Sequence, residues 1–213
     1  MTVQERYTAY DLFALFYNRH WGWFARYACV WIEAFLLPGV PEGGRILDLC
    51  CGTGQLARML TDMGYRVTGI DSSEEVLRFA RENAPKAEFL LSDARRFTLI
   101  PEFHAAVSTF DSLNHIMTLE ELTAAFRNVH ACLAPGGGFL YHLAVWPEYR
   151  GRGIGRALVE CCLAALAVQG IEKCNIVVFR AHETGRRFWE HLGWVAREDL
   201  AYMQHLTPQE VIR

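Results

Sequence analysis

Gly136-Gly-Gly-Phe-Leu-Tyr-His-Leu-Ala-Val-Trp-Pro-Glu-Tyr-Arg-Gly-Arg-Gly-Ile-Gly155 joins an apolar run to an Arg/Gly-rich loop. Its glycines open with a turn, the apolar residues to Ala144 form a strand, and the Arg/Gly-rich end feeds a helix expected to run to about Gln169. A glycine-rich loop leading into a helix offers free backbone N–H groups and the positive end of the helix dipole, an arrangement suited to a phosphate or pyrophosphate. The residues before this stretch and the residues after it both lay claim to the same strand.

Upstream, strands and helices alternate. Arg45-Ile-Leu-Asp-Leu-Cys50 reads as a short buried strand, and Cys51-Gly-Thr-Gly54 turns sharply into a helix reaching about Gly64. Strands are expected at 65–70, 87–91, 104–110 and 136–144, with helices from about 72 to 83 and 119 to 133. That alternation calls for a parallel, doubly wound sheet with ligands at the carboxyl ends of its strands. Gly52 and Gly54 let a ligand approach the turn where a Cβ would clash. Asp71, 23 residues after Asp48, stands at the end of the next strand, where a carboxylate can accept both hydroxyls of a ribose. Over 7–36, Tyr10, Phe13, Leu15, Phe16, Trp23, Phe24, Tyr27, Val30, Trp31 and Phe35 fall at mixed helical spacings, and one or two amphipathic helices are expected to bury most of them.

Asp48-Leu-Cys-Cys-Gly-Thr-Gly54 resembles the first motif of the class I S-adenosylmethionine (SAM) dependent methyltransferases, commonly Leu-Asp-Leu-x-Cys-Gly-Thr-Gly. Gly69-Ile-Asp71-Ser-Ser resembles that family's second-strand acid and turn, and Leu91-Ser-Asp93-Ala94 the segment bracketing adenine. Phe110-Asp-Ser-Leu-Asn-His115 resembles the segment beside the methyl donor, and Leu133-Ala-Pro-Gly-Gly-Gly-Phe139 the turn into the fifth strand. The resemblance implies that Asp48, Cys50, Gly52 and Gly54 surround the methionine part of SAM, Asp71 the ribose, and Asp93 and Ala94 the adenine, with Phe110 and Asp111 beside the sulfonium and Thr53 and Ser72 also among the SAM-binding residues. Asp111 and His115 are the candidates for proton handling, although methyl transfer chiefly needs alignment and an unprotonated acceptor. Cys50 and Cys51, set among aliphatic neighbours, read as small apolar filling.

Downstream, Leu143-Ala-Val-Trp-Pro-Glu-Tyr-Arg-Gly-Arg-Gly-Ile-Gly-Arg-Ala-Leu158 resembles the acetyl-CoA signature of the GNAT acetyltransferases. This implies that Arg150, Gly151, Arg152, Gly153, Ile154 and Gly155 surround the CoA pyrophosphate. Cys174–Phe179 reads as a buried strand and Leu200–Leu206 as an edge strand. Phe188-Trp-Glu-His-Leu-Gly-Trp194 resembles the GNAT motif Phe-Tyr-x-x-x-Gly-Phe, with Trp189 where that family often has an acidic tyrosine; an indole N–H is a poor acid. The strands and helices that form a GNAT acceptor side are missing before residue 140. The two resemblances together imply a chimera, engineered or recombined, joined at the shared strand: a methyltransferase-like part over 1–143 and a GNAT-like part over 144–213.

Composition narrows the classes of function. Lys and Arg number 21 against 24 Asp and Glu, which favours no nucleic-acid or membrane partner and leaves a small-molecule substrate. Seven cysteines without small-domain spacing argue against a disulfide framework and for a reducing cytoplasm; no Cys/His spacing suggests a metal site. The fold expectation is thus an α/β, three-layer, doubly wound and mostly parallel sheet of the Rossmann-like methyltransferase type, continued by a GNAT-type strand-helix-strand-helix-strand unit. SAM is the expected cofactor, with acetyl-CoA second; an inactive recombined fold is the non-enzyme alternative.

Overall fold

The computed structural model describes residues 10–142, 145, 147–168, 174, 176, 178 and 182–197. It divides into two compact units, Met1–Val145 and Trp146–Arg213. The first carries α1 (Ala14–His20), α2 (Trp23–Phe35), β1 (Arg45–Leu49), α3 (Gln55–Asp62), β2 (Arg66–Asp71), α4 (Glu74–Asn83), β3 (Glu88–Leu91), β4 (Phe103–Ser108), α5 (Leu119–Cys132) and β5 (Leu133–Tyr141).

All five strands run parallel in the order β3-β2-β1-β4-β5. The order reverses between β1 and β4, and in such sheets the crevice beyond the carboxyl ends at that reversal is where ligands bind. Side-chain alternation along β1 explains the layers. Ile46 is buried with Ile32 of α2 and Leu56, Ala57 and Leu60 of α3, whereas Leu47 and Leu49 are buried with Ala125 and Val129 of α5. Helix starts are written locally: Ser73 Oγ accepts the Val76 N–H (3.1 Å) ahead of Glu74 and Glu75 at α4, and Thr118 Oγ1 accepts the Glu121 N–H (3.2 Å) at α5.

Three sequence expectations are corrected. The fourth strand ends at Ser108 rather than residue 110, because Phe110 (φ 57°) and Asp111 (φ 58°) take left-handed backbone that no strand accommodates. The fifth strand covers Leu133–Tyr141 rather than 136–144; Leu133 already pairs with Phe103, and the Ala134–Gly137 turn is absorbed as a register shift before Ala105 meets Gly138. The aromatic residues of α1 and α2 are not mostly buried either. Small and aliphatic residues, Ala14, Ala28, Cys29 and Ile32, take the buried positions, while Leu15, Phe16, Trp23, Tyr27 and Phe35 remain exposed.

In the second unit, a 3₁₀ turn at Pro147–Tyr149 leads to α6 (Ile154–Val168), and α7 (Glu183–His191) ends at Gly193 (φ 84°), a left-handed residue of the kind that terminates helices. The expected strand over 174–179 lies largely outside the described residues, and that over 200–206 entirely.

Candidate functional site

Asp48 shares the face of β1 that Ile46 uses, so the alternation that buries Ile46 under α2 and α3 carries the Asp48 carboxyl there too. It is 2 % exposed, and its Oδ2 has no hydrogen-bond partner among the described residues. Burial, reinforced by the charge of Asp71, pushes its pKa up to about 8. A buried carboxyl with an unused oxygen is costly unless something cationic or hydrogen-bonding completes it.

The turn after β1 is left-handed at Cys50 (φ 58°), Gly52 (φ 55°) and Gly54 (φ 80°). A Cβ on Gly54 would stand 2.9 Å from the Ala80 Cα, so the turn packs directly on α4. Helix α3 then begins with no side-chain cap, leaving its first N–H groups open at the turn. Asp71, at the end of β2, accepts the Gly52 N–H on Oδ2 (3.1 Å) and the Ser73 N–H on Oδ1 (3.1 Å). Burial raises its pKa, and these backbone donors counter the rise. Thr53 is fully buried, its hydroxyl donating to Gln55 Oε1 (2.7 Å), while Ser72 is exposed beside Asp71.

Between the ends of β1 and β4 lies a cavity of about 30 Å³ walled by Tyr17, Trp21, Phe24, Asp48, Cys50 and Phe110. That is close to the volume of one water, an order of magnitude below an ordinary small-molecule site. Rings occupy the rest: Phe110 lies 4.5 Å from Phe24 and 5.5 Å from Trp21 between centroids, and the Tyr17 ring comes within 3.1 Å of where a Cβ on Gly52 would be. Polar ties hold α1 and its approach in place. Asn18 Oδ1 accepts from Gln55 Nε2 (2.8 Å) and Asn83 Nδ2 (2.7 Å), Ser73 Oγ donates to Asp11 Oδ1 (2.5 Å), and the Tyr10 hydroxyl meets His115 Nε2 (2.9 Å). A larger cavity, about 240 Å³, sits at the opposite ends of β1 and β2. The cations lining it are already engaged, Arg45 by Glu102, Lys86 by Asp62 and Arg66 by the Gly43 carbonyl, so charge offers a ligand little there.

The structure therefore brings Asp48, Cys50, Gly52, Thr53, Gly54, Asp71 and Phe110 together. Asp93 follows β3, but Arg95 claims its carboxylate through Nε (2.8 Å) and Nη2 (2.5 Å), holding its pKa below the usual carboxylate range; Ala94 beside it is buried. Burial drives the Cys50 and Cys51 thiols well above their ordinary range, so they are unreactive filling. Asp111 meets His142 rather than His115: His142 Nδ1 is 3.0 Å from Asp111 Oδ1. His142, Tyr17 and Trp21 escaped the sequence reading, since their roles come from contacts between distant segments. In the second unit, Gly151 (φ 73°) and Gly153 (φ 79°) are left-handed with nothing within 4 Å of an added Cβ, and Arg152 lies over the Tyr149 ring at 5.6 Å.

Residues 46–137 match the family model described as a methyltransferase domain. The putative methyltransferase YqeM of Bacillus subtilis is 43% identical over 115 residues, which are 52% of this chain and 45% of that protein. A Streptomyces venezuelae dTDP-3-amino-3,4,6-trideoxy-alpha-D-glucopyranose N,N-dimethyltransferase is 36% identical over 108 residues, 51% of this chain and 46% of that one. The chain thus spans just under half the length of these relatives. Among solved structures, SAM-bound CalS10, an amino pentose methyltransferase from Micromonospora echinaspora, superposes with a TM-score of 0.52 at 28% identity, covering 67% of this chain and 58% of that one. Residues 118–196 match a second model, an acetyltransferase (GNAT) domain. The chain accordingly matches a methyltransferase domain from β1 into β5 and a GNAT domain from α5 onward, with α5 and the first half of β5 common to both.

Proposed function

We propose that the first unit binds SAM and transfers its methyl group to a small molecule. The observation that carries this reading is the buried Asp48 carboxyl with an unpartnered oxygen, set under a left-handed glycine turn at the sheet's reversal point. SAM supplies a methyl group activated on a sulfonium. In this chain Asp48 and the turn Cys50–Gly54, Thr53 included, would hold the methionine part, Asp48 facing its ammonium; Asp71 and Ser72 would hold the ribose, Asp93 and Ala94 the adenine, and Phe110 and Asp111 the sulfonium end. Similarity to SAM-bound CalS10 and to an amino-sugar methyltransferase supports both the cofactor and a small-molecule acceptor. The near-balanced charge and seven cysteines without small-domain spacing support action on a small metabolite in a reducing cytoplasm.

A second reading has one observation in its favour. The left-handed Gly151 and Gly153 ahead of α6 make a loop able to surround a pyrophosphate, and the GNAT match covers it. We read the two matches as a chimera joined through α5 and β5, with parts at 1–143 and 144–213, in which CoA binding does not entail acetyl transfer. Separate titrations of SAM and CoA into the full chain test both readings. Binding of SAM supports the first, binding of CoA that is lost in Gly153→Glu supports the second, and binding of neither identifies a folded chain without a cofactor.

A further inference from the structure

Two histidines stand near the cavity, and the fold treats them differently. The Nε2 of His115 is occupied by the Tyr10 hydroxyl at 2.9 Å. His142 instead sets Nδ1 3.0 Å from Asp111 Oδ1, leaving its other ring nitrogen on the far side of the imidazole. Its backbone is fixed as β5 ends, where its N–H donates to the Ser108 carbonyl (3.0 Å), and its ring stacks at 6.2 Å on Phe24, a wall of the cavity. Asp111 is held as firmly. It comes directly after Phe110, another cavity wall, and the two are consecutive non-glycine residues in left-handed backbone, a conformation costing on the order of 1–3 kcal/mol per residue that persists only where the surroundings enforce it. The Asp111 Oδ1 is buried, and its contact with His142 is at bonding distance but off the line of a hydrogen bond. Hydrogen bonds of this kind commonly align only when substrate is bound.

We propose that His142 is the proton acceptor for the methyl acceptor and that Asp111 is its positioning residue, with a protonated amine as the acceptor class. The inference rests on the methyl-transfer reading above. An ionised Asp111 carboxylate can only accept, so it selects the Nδ1–H form of the ring and leaves Nε2 with a lone pair. The acceptor's ammonium gives its proton to that Nε2, and the resulting imidazolium is balanced by Asp111. The freed nitrogen lone pair then forms the C–N bond as the S–C bond breaks, and the bonding pair stays on sulfur as a neutral thioether. An imidazole takes a proton from an alkyl ammonium far more readily than from an aliphatic hydroxyl, which favours an amine over an alcohol as the acceptor.

The test is ¹⁵N–¹H correlation of the histidine rings in the full chain, with S-adenosylhomocysteine (SAH) as the ligand probe and calorimetry as the independent measure of its binding. His142 is expected to show the Nδ1–H form in the wild type, to lose that preference in Asp111→Asn, and to shift when SAH is added. In methyl transfer to dTDP-3-amino-3,4,6-trideoxyglucose, His142→Gln is expected to lower kcat about 100-fold with the SAM Kd unchanged. A predominant Nε2–H form, SAH binding that leaves His142 unmoved, or equal kcat overturns the role of His142. Failure of the wild type to methylate that amine overturns the acceptor class. No SAH binding by calorimetry overturns the methyl-transfer reading and this inference with it.

Discussion

Asp71 Oδ2 accepts the Gly52 N–H at 3.1 Å, so the acid at the end of β2 is tied to the turn that succeeds β1. The same carboxylate takes the Ser73 N–H on its other oxygen, and Ser73 in turn caps α4. One side chain thus joins the ends of two strands and the start of a helix, and a ligand hydroxyl reaching it meets a carboxylate already fixed in direction.

The raised pKa of Asp48 predicts a pH-dependent stability. Its folded value is about 8 against an ordinary carboxyl value of 3.8. Between those limits the unfolded chain has lost this proton while the folded chain keeps it, so stability falls as pH rises from about 4 to about 8, by at most ~1.4 kcal/mol per pH unit. Asp48→Asn is expected to flatten that slope and raise Tm at pH 8, while weakening SAM binding because an amide cannot neutralise an ammonium. Melting curves across pH, paired with titrations, check both signs.

The cavity holds about 30 Å³ with Tyr17 of α1 among its walls, so a ligand is expected to enter only when α1 shifts. Asn18→Ala removes the acceptor shared by Gln55 and Asn83. SAM association in stopped flow is expected to accelerate several-fold, since a net hydrogen bond contributes ~1 kcal/mol to the closed form. An unchanged rate would show that α1 does not gate the site.

Gly54 is bound to its role by conformation and by space. Gly54→Val combines φ 80° with a Cβ 2.9 Å from the Ala80 Cα. A loss of roughly 3 kcal/mol or more, read by denaturant unfolding, is expected. The same change at Gly64, also left-handed (φ 96°) but with open space around it, is expected to cost only the backbone strain, ~1–2 kcal/mol.

Ser73→Ala removes both the cap on Val76 and the contact with Asp11. A drop of ~1–2 kcal/mol, read by denaturant unfolding, is expected; Ser73→Asp restores the cap but sets a second carboxylate against Asp11, so it is expected to recover less than the full amount.

The parts of the site legible in the sequence are those where backbone conformation dictates residue type. Gly52 and Gly54 were legible because left-handed turns favour glycine, and Asp48 and Asp71 because a carboxylate at a strand end breaks an apolar run. The left-handed Phe110 and Asp111 are hidden, since an aromatic residue does not favour that backbone and an aspartate does so only modestly, so the apolar run extends the fourth strand two residues too far. Spacing over 7–36 foretold helices but not which side chains they bury: Ala28, Cys29 and Ile32 fill the interface, while Tyr17 and Trp21 close the site. His142 lies 31 residues from Asp111, and only the pairing of β4 with β5 brings them together.

Calorimetric titration of SAM into the wild-type chain and into Asp71→Ala decides whether the first unit binds SAM through the acid at the end of β2. One SAM bound per chain, with affinity falling at least ~30-fold, or about 2 kcal/mol, in the variant is the predicted result. Absence of binding to the wild type, or equal affinity in both, would contradict it.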